Sequence, residues 1–399
     1  LILKMIKIKI DQYDQCDMTE WLDAHEAMRR LGVKPQTLYA YVSRGRIRAT
    51  ADVSDPRRGR YAAADVDRLT TRKARGRKAA DVAADAIAWG EPVLESAITT
   101  VSEGRLYYRG QDAVLLAETA TFEGVARLLR GVGASPCESR RRPAPPKGVS
   151  MRERLFATLA ISAARDAPSW RQPPETLARD GATLLDAVAD AVCGRVESGP
   201  IHRRLGQTWG LGGQGTDLIR RALVLLADHE LNPSTFAARV AASTGASLAA
   251  SALAGLSTLS GPRHGGAHEA VARLAAEAAR IGPRDAVAAR LAFWTSTPGF
   301  GHPLYPDGDP RAQALLNAFT APREYQALSA AVADATGAHD NVDFALAAMT
   351  RQLALPPDAP FILFAVARCA GWVAHAMEQA TVGAIIRPRA RYVGIDPSA

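Results

Sequence analysis

A mostly helical protein of two or three domains is what this 399-residue sequence predicts, on three observations. The chain is 47% hydrophobic but only 6% aromatic, so a core proportionate to its length must be built from Ala, Leu and Val. Glycines and prolines recur between Ala-rich runs, which suits helices broken by turns and packed closely through small side chains. Charge is uneven: residues 1–78 hold eighteen Lys/Arg against ten Asp/Glu, whereas the remainder holds thirty-one of each. All of the excess positive charge therefore lies in the first fifth, which marks a separate basic module.

Composition also bounds the class. No run of eighteen or more apolar residues offers a membrane span, and no membrane partner is expected. Cys16, Cys137, Cys193 and Cys369 lie far apart with no C-x-x-C spacing, which fits a reducing, cytoplasmic setting better than a disulfide framework. Residues 1–17 read as a leader, with Met18 as a more natural start.

Residues 18–70 are expected to form a small helical domain. Thr19–Leu31 reads as one amphipathic helix ended by Gly32, and Pro35 opens a second over Pro35–Ser43. Two short helices about a Gly turn make a helix-turn-helix candidate. The second helix presents Gln36, Thr37 and Tyr39 to bases, while Arg44, Arg46, Arg48, Arg57, Arg58 and Arg60 on a hairpin-like wing reach for phosphates. The whole resembles the winged helical domain of the MerR and excisionase type, which implies DNA as a partner. A helical docking domain with a solvated basic face is the alternative. Residues 71–83 lack apolar periodicity and read as a linker.

Further on, Ala97–Val101 and Gly104–Gly110 alternate like the arms of a hairpin. An exposed basic loop is expected over 139–146, kept from packing by Pro and Arg. Gly210-Leu211-Gly212-Gly213-Gln214-Gly215 satisfies the dinucleotide pattern G-x-G-x-x-G, but residues 203–209 do not read as a strand, so no dinucleotide is expected. A helix over 217–228 then delivers His229-Glu230-Leu231-Asn232 at its end.

Three later stretches carry the chemistry. Ser260-Gly261-Pro262-Arg263-His264-Gly265-Gly266-Ala267 breaks the backbone before an Ala-rich helix and holds His264 on a tight turn. Alone, such a His serves as a structural hydrogen-bonder as readily as a catalyst. Gly299-Phe300-Gly301-His302 follows, leading to Asp309-Pro310-Arg311, and later Asn341-Val342-Asp343-Phe344. Two histidines and an aspartate on separate turns suit acid/base chemistry at a carbonyl.

In this order the stretches resemble the citrate synthase family, with its G-P-x-H-G-G-A, G-F-G-H…D-P-R and N-V-D-F motifs, over about residues 97–394. The resemblance implies a citrate synthase-like helical fold, with a large domain (84–264 and 371–399) and an inserted small domain (265–370) that closes on it. It implies condensation of acetyl-CoA with oxaloacetate through an enolate, then hydrolysis of citryl-CoA. Asp343 would be the base, His264 the donor to the thioester oxygen, and His302 the group that polarises and protonates the ketone. His229, Arg311, Arg368 and Arg387 would bind the keto acid, with Arg387 donated across a homodimer. No metal or cofactor is implied, since the coenzyme A thioester is a substrate. Two alternatives stand beside this one: 2-methylcitrate synthesis from propionyl-CoA, and a DNA-binding regulator whose synthase-like body senses metabolites; the implied thioester partner is acetyl-CoA or another short acyl-CoA. Departures from the motifs are Pro303 and Pro306, where the family has basic residues, Ala345-Leu346 in place of Tyr-Ser, and His268 in place of Asn. The Ala345-Leu346 change leaves room for a longer acyl chain.

Overall fold

A computed structural model describes residues 21–33, 35–43, 47–52, 55, 59–74, 94–131, 142–294, 296–388, 390 and 394. The expected leader, most of the linker, Cys16, Cys137, Arg44, Arg46, Arg57 and Arg58 lie outside the described residues, as do the side chains of Gln36 and Tyr39. The chain divides into two compact units, residues 1–95 with 390–399, and residues 96–389.

In the first unit, β1 (Trp21–Leu22), α1 (Ala24–Leu31), α2 (Pro35–Ser43), β2 (Ala49–Ala51), β3 (Gly59–Ala62) and α3 (Ala63–Ala74) surround a core of Leu22, Leu31, Leu38, Ile47, Tyr61 and Val66. The helix expected from Thr19 starts later. Trp21 and Leu22 instead pair with Ala62 and Tyr61 in a sheet of order β1-β3-β2, and Asp23 caps α1 by accepting from Glu26 N at 2.8 Å. Gly32 ends α1 at φ 59°, the left-handed conformation that glycine adopts without penalty. The linker expected from residue 71 begins later too, because α3 continues to Ala74. Two wing arginines already have partners: Arg48 Nε meets Asp65 at 3.0 Å and Arg60 Nε meets Asp52 at 2.5 Å.

The second unit opens with the expected hairpin, β4 (Thr99–Ser102) and β5 (Arg105–Tyr108), followed by β6 (Gln111–Asp112). Glu103 and Gly104 turn it with φ 51° and 72°, the pair of positive angles that matches the twist of a two-residue hairpin. Helices follow in the order α4 (Ala113–Thr119), α5 (Phe122–Arg130), α6 (Met151–Arg165), α7 (Pro174–Cys193), α8 (Ile201–Thr208), α9 (Gly213–Leu226), α10 (Pro233–Ser243), α11 (Leu248–Leu259), α12 (Ala267–Ile281), α13 (Pro283–Leu291), α14 (Pro310–Leu316), α15 (Arg323–Thr336), α16 (Val342–Gln352) and α17 (Ala359–Val382). The G-x-G-x-x-G stretch joins α8 to α9, helix to helix, so no strand feeds it.

Two cores organise this unit. The larger gathers around α17, whose residues from Ala359 to Met377 are all buried. That helix is long and apolar enough to cross a membrane, but its apolar stretch is enclosed by protein. Small residues allow the close approach that the composition predicts: a Cβ on Gly255 of α11 would lie 2.6 Å from Trp372 Cδ2. The smaller core unites Val271, Leu274, Val287, Phe300, Leu328, Val332 and Phe344 from α12, α13, α15 and the start of α16. The domain boundary expected at 370 therefore falls inside one continuous helix, whose buried side chains from Phe361 onward join the larger core, and the smaller core ends with Ala348.

The basic loop also departs from expectation at Arg142, whose side chain is 5% exposed. It donates to Asp190 at 2.6 Å, with Arg204 paired to the same carboxylate, because Asp190 lies buried on α7 and needs compensating cations. Ala345 and Leu346, expected to leave room for an acyl chain, are packed into the larger core at 0% and 1% exposure.

Candidate active site

His264 stands on the turn between α11 and α12. Gly265 N donates to Leu259 O at 2.9 Å, and a Cβ there would meet that oxygen at 2.7 Å, so only glycine lets the turn fold back so tightly. His264 Nε2 lies 2.9 Å from Ser234 Oγ in the first turn of α10. The same oxygen accepts from Trp372 Nε1 at 3.2 Å and lies 2.7 Å from Asn232 Oδ1, the helix cap. Ser234 Oγ has one proton, which goes to Asn232 Oδ1 when His264 Nε2 carries the ring proton and can go to His264 Nε2 when that nitrogen is bare. Burial, and then the charge of Arg368, lowers the His264 pKa to about 4, so the ring is neutral at pH 7.

His302 lies on the loop before α14, and its tautomer is fixed by the backbone. Leu304 N donates to Nδ1 at 3.1 Å, which leaves the single proton of a neutral ring on Nε2. Burial first and Arg311 second lower this pKa to about 4 as well. His229, just beyond α9, has its ring centroid 5.2 Å from that of His302, and Nε2 lies 2.9 Å from Tyr305 Oη. Burial, then Arg311 and Arg368, hold His229 well below the usual imidazole range.

Asp343 sits in the first turn of α16, where Asn341 Oδ1 accepts from Asp343 N at 3.0 Å. A helix N-terminus ordinarily favours a carboxylate. Here burial outweighs that and the attraction of Arg311, and the pKa rises to about 6. Among the described residues no group donates a hydrogen bond to this carboxylate.

Arg311 is gripped by its neighbour in the motif: Nε and Nη2 donate to the two oxygens of Asp309 at 2.9 and 2.8 Å. Asp309 Oδ2 also accepts from Val342 N at 3.0 Å, which ties Arg311 to the helix that carries Asp343. Arg368, 1% exposed on α17, donates from Nε to Leu226 O at 3.0 Å, while Nη2 is buried without a partner. Burial lowers its pKa to about 10, against the pull of Asp228, so it remains a cation. A buried guanidinium nitrogen with an unmet donor is a place for an anionic oxygen.

Measured contacts link these groups. The Arg311 guanidinium lies 5.4 Å from the Tyr305 ring, which is 4.9 Å from His302 and 5.6 Å from His229. Arg368 lies 4.8 Å from the Phe364 ring, itself 6.0 Å from His264. Arg387 is not brought in. It is exposed beyond α17, on a segment that Ile386 N ties to Ser243 Oγ at 3.1 Å. Pro303 and Pro306 are exposed, and His268 Nδ1 donates locally, to Gly265 O at 2.8 Å. Sequence reasoning passed over Ser234, Tyr305, Asp309 and Trp372. Each lies within four residues of a residue named there, but their roles depend on hydrogen bonds that spacing does not show. Among the described residues, no group of three or more His, Cys, Asp and Glu side chains is placed to hold a metal ion.

The second unit is thus a helical body with two cores that holds a carboxyl of raised pKa, imidazoles neutral at pH 7 and two buried arginines. The pattern described as citrate synthase, C-terminal domain, matches residues 201–389. The putative citrate synthase 2 of Mycobacterium tuberculosis is 32% identical over 338 residues, 74% of this chain and 88% of that protein. The chain belongs to the citrate synthase family. Citrate synthase 2 of Bacillus subtilis is 36% identical over 191 residues, a match that spans 51% of the relative's length. The 2-methylcitrate synthase of Shewanella oneidensis is 29% identical over 77% of this chain and 94% of its own. Among solved structures, citrate synthase from Thermotoga maritima superposes with a TM-score of 0.62 at 28% identity, covering 77% of this chain and 94% of that one. The Thermoplasma acidophilum enzyme, solved with carboxymethyl coenzyme A and oxaloacetate, shares the fold at a TM-score of 0.62 and 22% identity.

Proposed function

We propose that the protein condenses acetyl-CoA with oxaloacetate and hydrolyses the citryl thioester. The observation that carries this is the pairing of a raised carboxylate, Asp343, with two imidazoles that are neutral at pH 7, around two buried arginines. A thioester methyl is a very weak acid, and an ordinary carboxylate near pH 7 is a poor match for it. Asp343 at about 6 is a stronger base and is still mostly ionised. It takes a proton from the methyl carbon while His264 donates to the thioester oxygen, so that charge on the forming enolate is met by a hydrogen bond. This role requires the Ser234 proton to point at His264 Nε2, leaving the ring's own proton on Nδ1. The enolate carbon then attacks the ketone carbon, and His302 gives its Nε2 proton to the new alkoxide. Water finally cleaves the thioester, its hydroxide going to the acyl carbon and its other proton back to His302, while the proton held by Asp343 leaves with coenzyme A as its thiol.

The two carboxylates of oxaloacetate find Arg368 Nη2, the free edge of Arg311 and His229. Arg387 is supplied by a second copy of the chain, a reading supported by its exposure. Cys193 and Cys369, both buried and free, suit the cytoplasm. Propionyl-CoA is the second reading, favoured by the Shewanella relative's name, since one methylene changes pocket specificity by only about 1–3 kcal/mol. The regulator reading has less behind it: the catalytic set is complete, and Arg48 and Arg60 of the basic module are already ion-paired. Purified protein should release free coenzyme A only when oxaloacetate and an acyl-CoA are both present, with kcat/KM for acetyl-CoA above that for propionyl-CoA. His302→Ala should abolish release while leaving the unfolding transition in place. Release without oxaloacetate, or full activity in His302→Ala, would overturn the reading.

A further inference from the structure

Tyr305 Oη lies 2.9 Å from His229 Nε2, and Tyr305 is 2% exposed. The ring is held by a tight turn in which Tyr305 N donates to His302 O at 2.9 Å and Gly308 N donates to Tyr305 O at 3.1 Å. Burial pushes the phenol up to about 12, so it carries its proton at neutral pH. Among the described residues, His229 is the hydroxyl's sole hydrogen-bond partner. If Nε2 bore the imidazole proton, that proton would go to the phenol oxygen and the phenol's own proton would face no acceptor among the described residues. A buried donor left unmet is costly. The phenol's proton is met only when Tyr305 O–H donates to Nε2. The neutral ring then holds its proton on Nδ1, which has no partner among the described residues, while His229 keeps 7% of its surface exposed. Arg311 and Arg368 oppose a second proton on the ring.

We infer that Tyr305 is a positioning residue that locks His229 as the Nδ1–H tautomer, so that the ring offers the keto acid one neutral hydrogen-bond donor. The identity of that ligand rests on the function proposed above, whereas the tautomer does not. A ring free to present its bare nitrogen would instead repel a carboxylate. Tyr305→Phe keeps the ring beside Arg311 and removes only the hydroxyl.

The test uses full-length protein labelled with 15N at histidine, with His229 assigned by its absence in His229→Gln. In the wild type without substrate, His229 should show a protonated Nδ1 and a bare Nε2 at pH 7. In Tyr305→Phe the two nitrogens should show mixed tautomers, and KM for oxaloacetate should rise about tenfold while KM for acetyl-CoA stays within twofold. A protonated Nε2 in the wild type, or a Tyr305→Phe protein with both tautomer and KM unchanged, would overturn the assignment. Absence of turnover with a bare Nε2 still observed would instead count against the proposed substrates and leave the tautomer standing.

Discussion

Asp343→Asn should make the protein more stable at pH 8 while removing its activity. Folding raises this carboxyl from 3.8 to about 6, so at neutral pH the native state holds an ion that the unfolded chain accommodates more easily. At about 1.4 kcal/mol per unit of pKa, the upper bound on that cost is roughly 3 kcal/mol. Asp343 is not sealed from solvent, which screens part of it, and about 1–2 kcal/mol is the working value. The cost is complete above pH 6, shrinks as pH falls through 6 toward 3.8, and vanishes below 3.8, where the carboxyl is protonated in both states. Asn has the same shape and no charge to bury. Urea unfolding of both proteins between pH 4 and 8 should therefore show a stability difference in favour of Asn that is largest at pH 8 and closes near pH 4. In the wild type, kcat/KM should fall about tenfold per pH unit below about 6. A difference independent of pH, or a less stable Asn variant at pH 8, would refute burial as the source of the raised pKa.

Two further outcomes follow from the same contacts. Ser234→Ala removes the shared oxygen that holds His264 and Trp372, so kcat should drop roughly ten- to a hundredfold with KM for oxaloacetate little changed, as read by steady-state kinetics; full kcat would take Ser234 out of the proton arrangement. Arg368→Lys keeps a cation but loses the planar fork and the unmet Nη2 donor, which at about 1.5–3 kcal/mol should raise KM for oxaloacetate at least tenfold, and an unchanged KM would remove Arg368 from the keto-acid site.

What could be read in the sequence divides along a physical line. The glycine and proline turns, the caps and the Ala-rich packing are local, and they placed α2, the hairpin and the helix that follows His264 correctly. Trp21 and Leu22 were assigned to a helix because their apolar spacing fits one, but their backbone partners lie some forty residues away on β3. Arg142 was read as loop surface because its partner Asp190 is distant in sequence and buried, which composition does not reveal. Motif order singles out the histidines, Asp343, Arg311 and Arg368 as candidates. Their electrical states are not legible there, since each depends on burial and on the arginines brought beside it by folding.

The division of these groups between the two cores bears on how the reaction is timed. Helix α16 belongs to both: Phe344, Ala347 and Ala348 face the smaller core, while Val342, Ala345, Leu346 and Met349 face the larger. Its start is latched to the His302 loop, with Asn341 N donating to Gly299 O at 2.9 Å, Asn341 Nδ2 to Gly301 O at 3.1 Å, and Gly301 N to His339 O at 2.8 Å. Asp343 and His302, the base and the ketone's proton donor of the proposed reaction, are therefore tied to each other through these bonds. His264, through Ser234 and Trp372, and Arg368, through Leu226, are anchored instead to helices of the larger core. A small shift of one core against the other would bring Asp343 and His302 up to the thioester and ketone together, without altering their mutual spacing. Proton removal and ketone polarisation would then switch on in one movement, after the keto acid has bridged Arg311 and Arg368, and water would be excluded before the enolate forms.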